Sequence, residues 1–374
     1  MPVTGGVTRR DGIGLLAGAL FAPRLPRGVP PGVAAILERT LALDPSALNT
    51  DWFGTLLVKG LLDWARRGRA EARDFARRWF ESHLRSGRLS AFSGPKSRVV
   101  QAGGIAITTY AGHFGLAFPC YELFLQTGDA RARRVCVEVA DVILHQTARN
   151  HLGMVLHDDT VEFTIPDVCY FVVTPLMIAY ALDPARHGVY RDQAVFQLRA
   201  FIDVFLSKET GLAKTILTKE GLGKSYWTRA TGWLLWAMTG VLRHLPPGEV
   251  RFAGFARDLA SLAGGIERVQ DPGGGLRLFL NDPHSPLETT GTAMCAMGLH
   301  EAIRRNWLDA RFSPVAERAW SFVLDRLSPA GEISGAYTGW AVPAERGVVE
   351  MDRRPMGWIP GFVLSAASEM ATRA

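Results

Sequence analysis

The sequence predicts an all-α fold, an (α/α)6 barrel in which six helical hairpins close into a ring. Three observations lead there. Apolar residues recur at three- and four-residue intervals in about twelve stretches from residue 31 onward, the mark of amphipathic or buried helices. Short loops join most of these stretches, which lays consecutive helices antiparallel. Period-two alternation, the mark of a half-buried strand, is nearly absent. An open solenoid would show self-similarity at a fixed period. Here the only echo is a helix, then "RRGRA" or "QTGDARA", then another helix, so a closed toroid is expected, with its site among the loops and inner-helix termini at one end.

In chain order, a helix is expected over 31–43. "TDWFGTLLVKGLLDWARRG" (50–68) starts at a Thr or Asp cap, keeps its apolar period and stops at a glycine, and "AEARDFARRWFESHLRSG" (70–87) behaves alike. Further runs fall at 111–126 and 130–147, and at 166–182, where Pro166 marks the first turn. They continue at 190–207 and at 227–243, which follows the aromatic stretch "YWTRATGW". The last are 251–268, then 288–305 opened by Glu288-Thr289-Thr290, 312–327 and 357–372. The best strand candidate is "GLRLFL" (275–280), an edge of a small hairpin.

The chain has 374 residues, of which 48% are apolar, enough for a sizeable core, and no long segment has a disordered composition. Cys120, Cys136, Cys169 and Cys295 are scattered through apolar helix-like stretches, which reads as buried free thiols rather than a disulfide framework. At the N-terminus Arg9-Arg10 precedes a short apolar run from Ile13 to Ala22, too short to span a bilayer and suited to an export signal of the twin-arginine kind. Residues 1–27 are therefore expected to direct export to the periplasm or beyond, and 28–374 to form one barrel domain. The formal charge is +6; the first 27 residues hold four arginines and one aspartate, so without them it falls to +3. That mild excess suits a small acidic partner. No basic run with interleaved aromatics points to nucleic acid, and no other segment is apolar enough to cross a membrane. Oligomeric state is not set by these patterns.

Four stretches hold the residues able to do chemistry. In "EFTIPDVCYFVVTPLM" (162–177), Asp167 follows Pro166 in the first turn of an otherwise apolar helix. There it is either an ordinary cap residue or a buried carboxyl of raised pKa, suited to a general acid. In "YWTRATGW" (226–233), Arg229 and Trp233 stand at i and i+4, with Tyr226 one turn earlier. This is either a core cation–π cluster or a guanidinium flanked by aromatic planes that grips an acidic sugar. In 275–303, Glu288 is either a cap or a second site carboxylate. "HDDTVE" (157–162) is the densest acidic stretch; without a second ligand cluster it reads as a solvated loop. No nucleotide-binding glycine loop, nucleophile elbow or zinc motif occurs.

Taken in order, these stretches resemble the unsaturated uronyl hydrolases of glycoside hydrolase families 88 and 105. The resemblance rests on Asp167 through Tyr170 and Pro175, on Trp227, Arg229, Gly232 and Trp233, on Asp282-Pro283-His284-Ser285 with Glu288-Thr289-Thr290-Gly291-Thr292-Ala293-Met294, and on the loop "LQTGDARA" (125–132). It spans roughly residues 50–370 and implies an (α/α)6 barrel, in agreement with the helix count. It further implies hydration of a Δ4,5-unsaturated uronic acid without cofactor or metal. Asp167 would be the acid/base residue, and Trp227, Arg229 and Trp233, with Tyr170 and Glu288, would hold an acidic oligosaccharide. Two positions depart from the family pattern. Its second acidic place falls at Gly112 or His113, leaving His113 as the candidate polar contact, and Lys214 stands where a histidine is usual.

Overall fold

The computed structural model describes residues 28–91, 97–337 and 357–372; the expected export segment 1–27 lies outside them. Twelve α-helices are present among the described residues, as the periodicity predicts. In chain order they are α1 (Pro31–Leu41), α2 (Trp52–Ala65), α3 (Ala70–Ser86), α4 (Ala117–Thr127), α5 (Ala130–His145) and α6 (Pro166–Leu182). They continue with α7 (His187–Phe205), α8 (Thr228–Leu242), α9 (Val250–Val269), α10 (Thr289–Arg304), α11 (Ser313–Asp325) and α12 (Trp358–Met370).

The even-numbered helices form the inner ring. α2 packs on α4, α4 on α6, α6 on α8, α8 on α10 and α10 on α12, and α12 returns to pack on α2. The composition explains the sorting. Every residue of α8 is buried, and nearly all of α6, because these helices are apolar on all sides and have neighbours on all sides. α3 instead buries only a stripe that includes Phe75, Trp79 and Phe80 and leaves its charged face to water. The closing seam depends on a missing side chain. A Cβ at Gly361 of α12 would lie 2.7 Å from the Leu56 carbonyl of α2, so α12 approaches α2 backbone to backbone.

Connections divide by pole. Turns from an even to an odd helix are short, and "RRGRA" and "QTGDARA" are two of them; in the second, Asp129 caps α5 by accepting from the Arg131 N–H. Connections from an odd to an even helix are long, and they carry the antiparallel hairpins: β1 (Val99–Ala102) with β2 (Ile105–Thr108), β3 (Leu217–Thr218) with β4 (Gly221–Leu222), and β5 (Leu276–Arg277) with β6 (Leu287–Glu288). The last contains the "GLRLFL" edge. β1–β2 escapes pattern reading because every residue of β2 is buried, which leaves no alternation to detect. All four cysteines are buried free thiols. No described helix is long and apolar enough to cross a membrane.

Candidate active site

The long loops and the N-termini of the inner helices meet at one pole. Six first turns there bring unpaired backbone N–H groups and positive dipole ends toward one region. Asp51 caps α2 by accepting from the Phe53 N–H at 2.9 Å. A short 3-10 turn, Ala111–Leu116, precedes α4 and holds His113. Pro166-Asp167 opens α6, Trp227 is the N-cap of α8, Glu288 that of α10, and Trp358 begins α12.

Asp167 is only partly covered as a residue, but its Oδ1 is buried and has no hydrogen-bond partner among the described residues. Burial raises its pKa from 3.8 to about 6, with the Arg229 and His157 charges opposing. A carboxyl so placed is protonated over part of the neutral range and spends little of its hydrogen-bonding capacity on the protein. Those are the properties of a proton donor waiting for a substrate.

Arg229 is 6% exposed. Its guanidinium lies 4.3 Å from the Trp227 ring centroid and 4.9 Å from that of Trp358. Nη1 donates to the Tyr337 carbonyl at 2.9 Å and to Thr290 Oγ1 at 3.3 Å, and it stands 3.5 Å from Glu288 Oε1. Burial pulls the Arg229 pKa down, while Glu288 and Asp167 resist. The buried Trp227 keeps its Nε1 without an acceptor among the described residues.

The third wall is aromatic. His113 is buried; Nδ1 pairs with Thr108 Oγ1 at 2.8 Å, and Nε2 lacks a partner among the described residues. Burial drops its pKa to about 4, so the ring is neutral. The Tyr110 ring stands edge-on to His113 at 5.9 Å and tilts over His157 at 4.9 Å. His157 stacks on Phe163 at 5.0 Å and pairs through Nδ1 with Asp158 Oδ2 at 3.2 Å. The Tyr110 phenol is held well above its usual range by burial and by the carboxylates of Asp51, Asp167 and Asp158. Gly112 has no room for an acid: a Cβ there would lie 2.5 Å from the Tyr110 ring.

Asp167, Arg229, Trp227 and His113 thus gather at this pole, and Lys214 sits on its rim with Nζ 5.6 Å from the Tyr226 ring. Two expected contacts lie in the core, and a third, at this pole, is spent on its own helix and on Arg229. Trp233, one turn below Arg229, is in the barrel core, 5.2–5.4 Å from Phe171, Tyr170 and Phe362. Tyr170 is one turn below Asp167, and its phenol answers to Arg243, Asp63, Glu301 and Glu122 at the far pole. Glu288 is fully buried, accepts from the Thr290 and Gly291 N–H groups, and faces Arg229, which makes it a cap and counter-ion.

Pattern reading missed Tyr110, His157 and Trp358. The "HDDTVE" loop, expected to be solvated, instead turns His157 inward beside Asp167, because His157 N–H bonds the Phe163 carbonyl and its own carbonyl accepts from Ala111. A usable signal existed: an aromatic or charged residue stands at the first turn of alternate helices.

Comparison with known proteins agrees with the architecture. The family model for glycosyl hydrolase family 88 matches residues 38–374. The unsaturated rhamnogalacturonyl hydrolase YesR of Bacillus subtilis (strain 168) is 24% identical over 259 residues, 66% of this chain and 74% of its own. Among solved structures, a possible GH105 member from Klebsiella pneumoniae superposes with a TM-score of 0.76 at 19% identity, over 91% of both chains. A family 88 glycosyl hydrolase from Bacteroides vulgatus gives 0.70 at 18% identity, over 91% of this chain and 97% of that one. The unsaturated glucuronyl hydrolase of Bacillus sp. GL1 gives 0.66 at 16%, over 92% and 95%. With nine-tenths of its length matched by the family model, the chain belongs to glycosyl hydrolase family 88.

Proposed function

We propose that this protein removes a Δ4,5-unsaturated uronic acid from the end of an acidic oligosaccharide by hydrating its double bond, with Asp167 as acid and base. The observation that carries the reading is the Asp167 carboxyl itself, raised to about 6 by burial, with an unspent Oδ1 beside Arg229 and His157. The protonated carboxyl gives its proton to C4, and positive charge develops at C5, shared with the ring oxygen. A water oxygen bonds to C5 and returns one proton to the Asp167 carboxylate, so the sum is addition of one water. The hemiketal formed at C5 opens, and the next sugar leaves. A single carboxyl serves both proton steps, unlike the two-carboxylate arrangement of ordinary glycosidases.

Arg229 supplies the field that holds an anionic ring, and the Trp227 and His113 edges supply polar contacts that the protein leaves unfilled. The name of the Bacillus subtilis relative points to the same substrate class. The test is loss of the unsaturated uronate's ultraviolet absorbance on lyase-generated oligosaccharides. Turnover by wild type and its loss in Asp167→Asn supports the reading. Binding without turnover across rhamnogalacturonan- and glucuronate-derived substrates would instead make the barrel a saccharide-binding protein. The arginine pair and apolar run before residue 28 add the proposal that the reaction takes place outside the cytoplasm; an uncleaved, cytoplasmic product on fractionation would remove it.

A further inference from the structure

The opposite pole, where the inner helices end, holds a cavity of about 590 Å³ that the uronate chemistry leaves unused. Its walls come from the last turns of α2, α8, α10 and α12 with the side of α4, and they are charged rather than apolar. Every carboxylate in the wall is already taken. Asp63 is held by Lys59 and Arg66, each at 2.6 Å, and Glu122 by Arg66 at 2.8 Å. Glu301 accepts from Arg243 at 2.7 Å and Arg305 at 3.0 Å, and Glu369 from Arg304 at 2.8 Å and His300 at 3.0 Å.

The cations are not used up in the same way. Arg243 reaches Glu301 through Nε and Nη2, Arg304 reaches Glu369 through Nε and Nη2, and Arg305 reaches Glu301 through Nε alone. That leaves Nη1 of Arg243, Nη1 of Arg304 and both Nη groups of Arg305 without a hydrogen-bond acceptor among the described residues. The wall therefore presents spare donors and no spare carboxylate.

Overall charge does not settle the ligand. The side chains carry a surplus of cations, but each helix C-terminus contributes roughly half a negative charge, which offsets much of it. Arg67 is already spent on such termini, donating to the Ser368 and Ala371 carbonyls. Recognition falls instead to local geometry, where paired guanidinium N–H groups match a carboxylate's two oxygens. His244, kept neutral by burial with a pKa of about 4, and the Tyr121 phenol add a polar, uncharged side to the same cavity.

We infer that this far-pole cavity is a second binding site, for a small organic carboxylate held by the unspent guanidinium groups of Arg243, Arg304 and Arg305. It is independent of the uronate reading, and a chain without turnover would bind there equally.

The experiment uses the full chain with 13C-methyl methionine, because Met297 lines the cavity and reports on it locally. Citrate is the probe, with sodium chloride at matched ionic strength as control. A saturable shift of the Met297 methyl signal, with a dissociation constant of about 1 mM or tighter, is expected. Arg305→Gln should weaken it about tenfold, since Glu301 keeps its Arg243 partner and the fold is spared. Arg304→Gln, whose Glu369 keeps His300, provides the second variant, with thermal melting to confirm that each is folded. Asp167→Asn should leave the titration unchanged. A Met297 signal that does not move, that moves equally with chloride, or that saturates identically in both folded arginine variants overturns the proposal.

Discussion

Replacing Asp167 by asparagine should cut turnover by about 10²–10⁴-fold and, at neutral pH, make the protein more stable. The carboxyl's pKa rises from 3.8 to about 6 on folding, a shift of about 2 units, or roughly 3 kcal/mol at 1.4 kcal/mol per unit. The folded state binds this proton more tightly than the unfolded chain does. Below about pH 4 both states are protonated and the site costs nothing. Between pH 4 and 6 the unfolded chain ionises first and stability falls, and above pH 6 the full penalty is present. Partial exposure of the residue screens some of this, so about 1–2 kcal/mol is the expected gain for Asp167→Asn at pH 7.

Thermal melting of the two proteins at pH 4 and pH 7 measures it. The variant should melt a few degrees higher at pH 7, and the gap should close toward pH 4. Activity should move the other way. The substitution removes the proton source, which costs about 10²–10⁴ in rate. Wild-type kcat/KM should fall about tenfold for each pH unit above 6 as the acid form of the free protein is lost. A variant that melts lower than wild type at pH 7, with a gap independent of pH, would refute the electrostatic reasoning. Retained turnover would refute the assignment.

Other outcomes follow from the same geometry. Trp227→Phe keeps a ring under Arg229 but removes the unpartnered Nε1–H, so KM should rise severalfold with little change in melting. Tyr170→Phe should leave KM and the pH profile unchanged, because the phenol faces away from Asp167; a KM change would return Tyr170 to the site. Glu288→Ala strips the α10 cap and removes the buried carboxylate 3.5 Å from Arg229, a loss of about 1–3 kcal/mol readable in urea melts. Gly361→Ala should cost at least about 1–3 kcal/mol by pushing α12 off the Leu56 carbonyl, seen as a lower melting temperature.

The fold was legible because helix periodicity is local and the hairpins are short. Twelve apolar-periodic stretches, two of them followed by the same kind of turn, suffice to expect a ring. What periodicity cannot show is which partner a helix meets. The contact of α12 with α2 joins the two ends of the chain, and its sequence mark is a lone glycine in an apolar run. β2 was invisible for a related reason, since a strand buried on both faces has no alternation.

Residue choice at the site divides along the helix axis. A helix advances 5.4 Å per turn, so one turn separates a residue at the pole from one in the core. Asp167 and Trp227 stand in or at the first turn of their helices and reach the pole. Tyr170 and Trp233 share helices with site residues and belong to the core, although their spacing looks equally suggestive in sequence. Glu288 is in the first turn too, yet its carboxylate folds back to cap its own helix. His157 is the reverse case: its loop is polar and reads as solvated, and only the pairing of that loop with the turn before α4 carries it inward.

One topological fact accounts for both poles. Six inner helices that all run the same way put six sets of unpaired N–H groups at one end and six sets of unpaired carbonyls at the other. Long odd-to-even loops come to the first end, bringing aromatic rings around the Asp167 carboxyl, whose pKa burial raises to about 6. The second end has only short turns, and its last helical turns carry arginines and lysine that complement the negative termini. Carboxylates then hold those cations in place around a cavity. The acid step proposed for Asp167 suits the first end, because positive dipole ends and Arg229 there favour the charge the carboxyl acquires on giving up its proton. The carboxylates of the second end differ: against the push of burial, Arg243 holds Glu301 below its usual range and His300 with Arg304 holds Glu369 there, so they carry no proton to deliver near neutral pH.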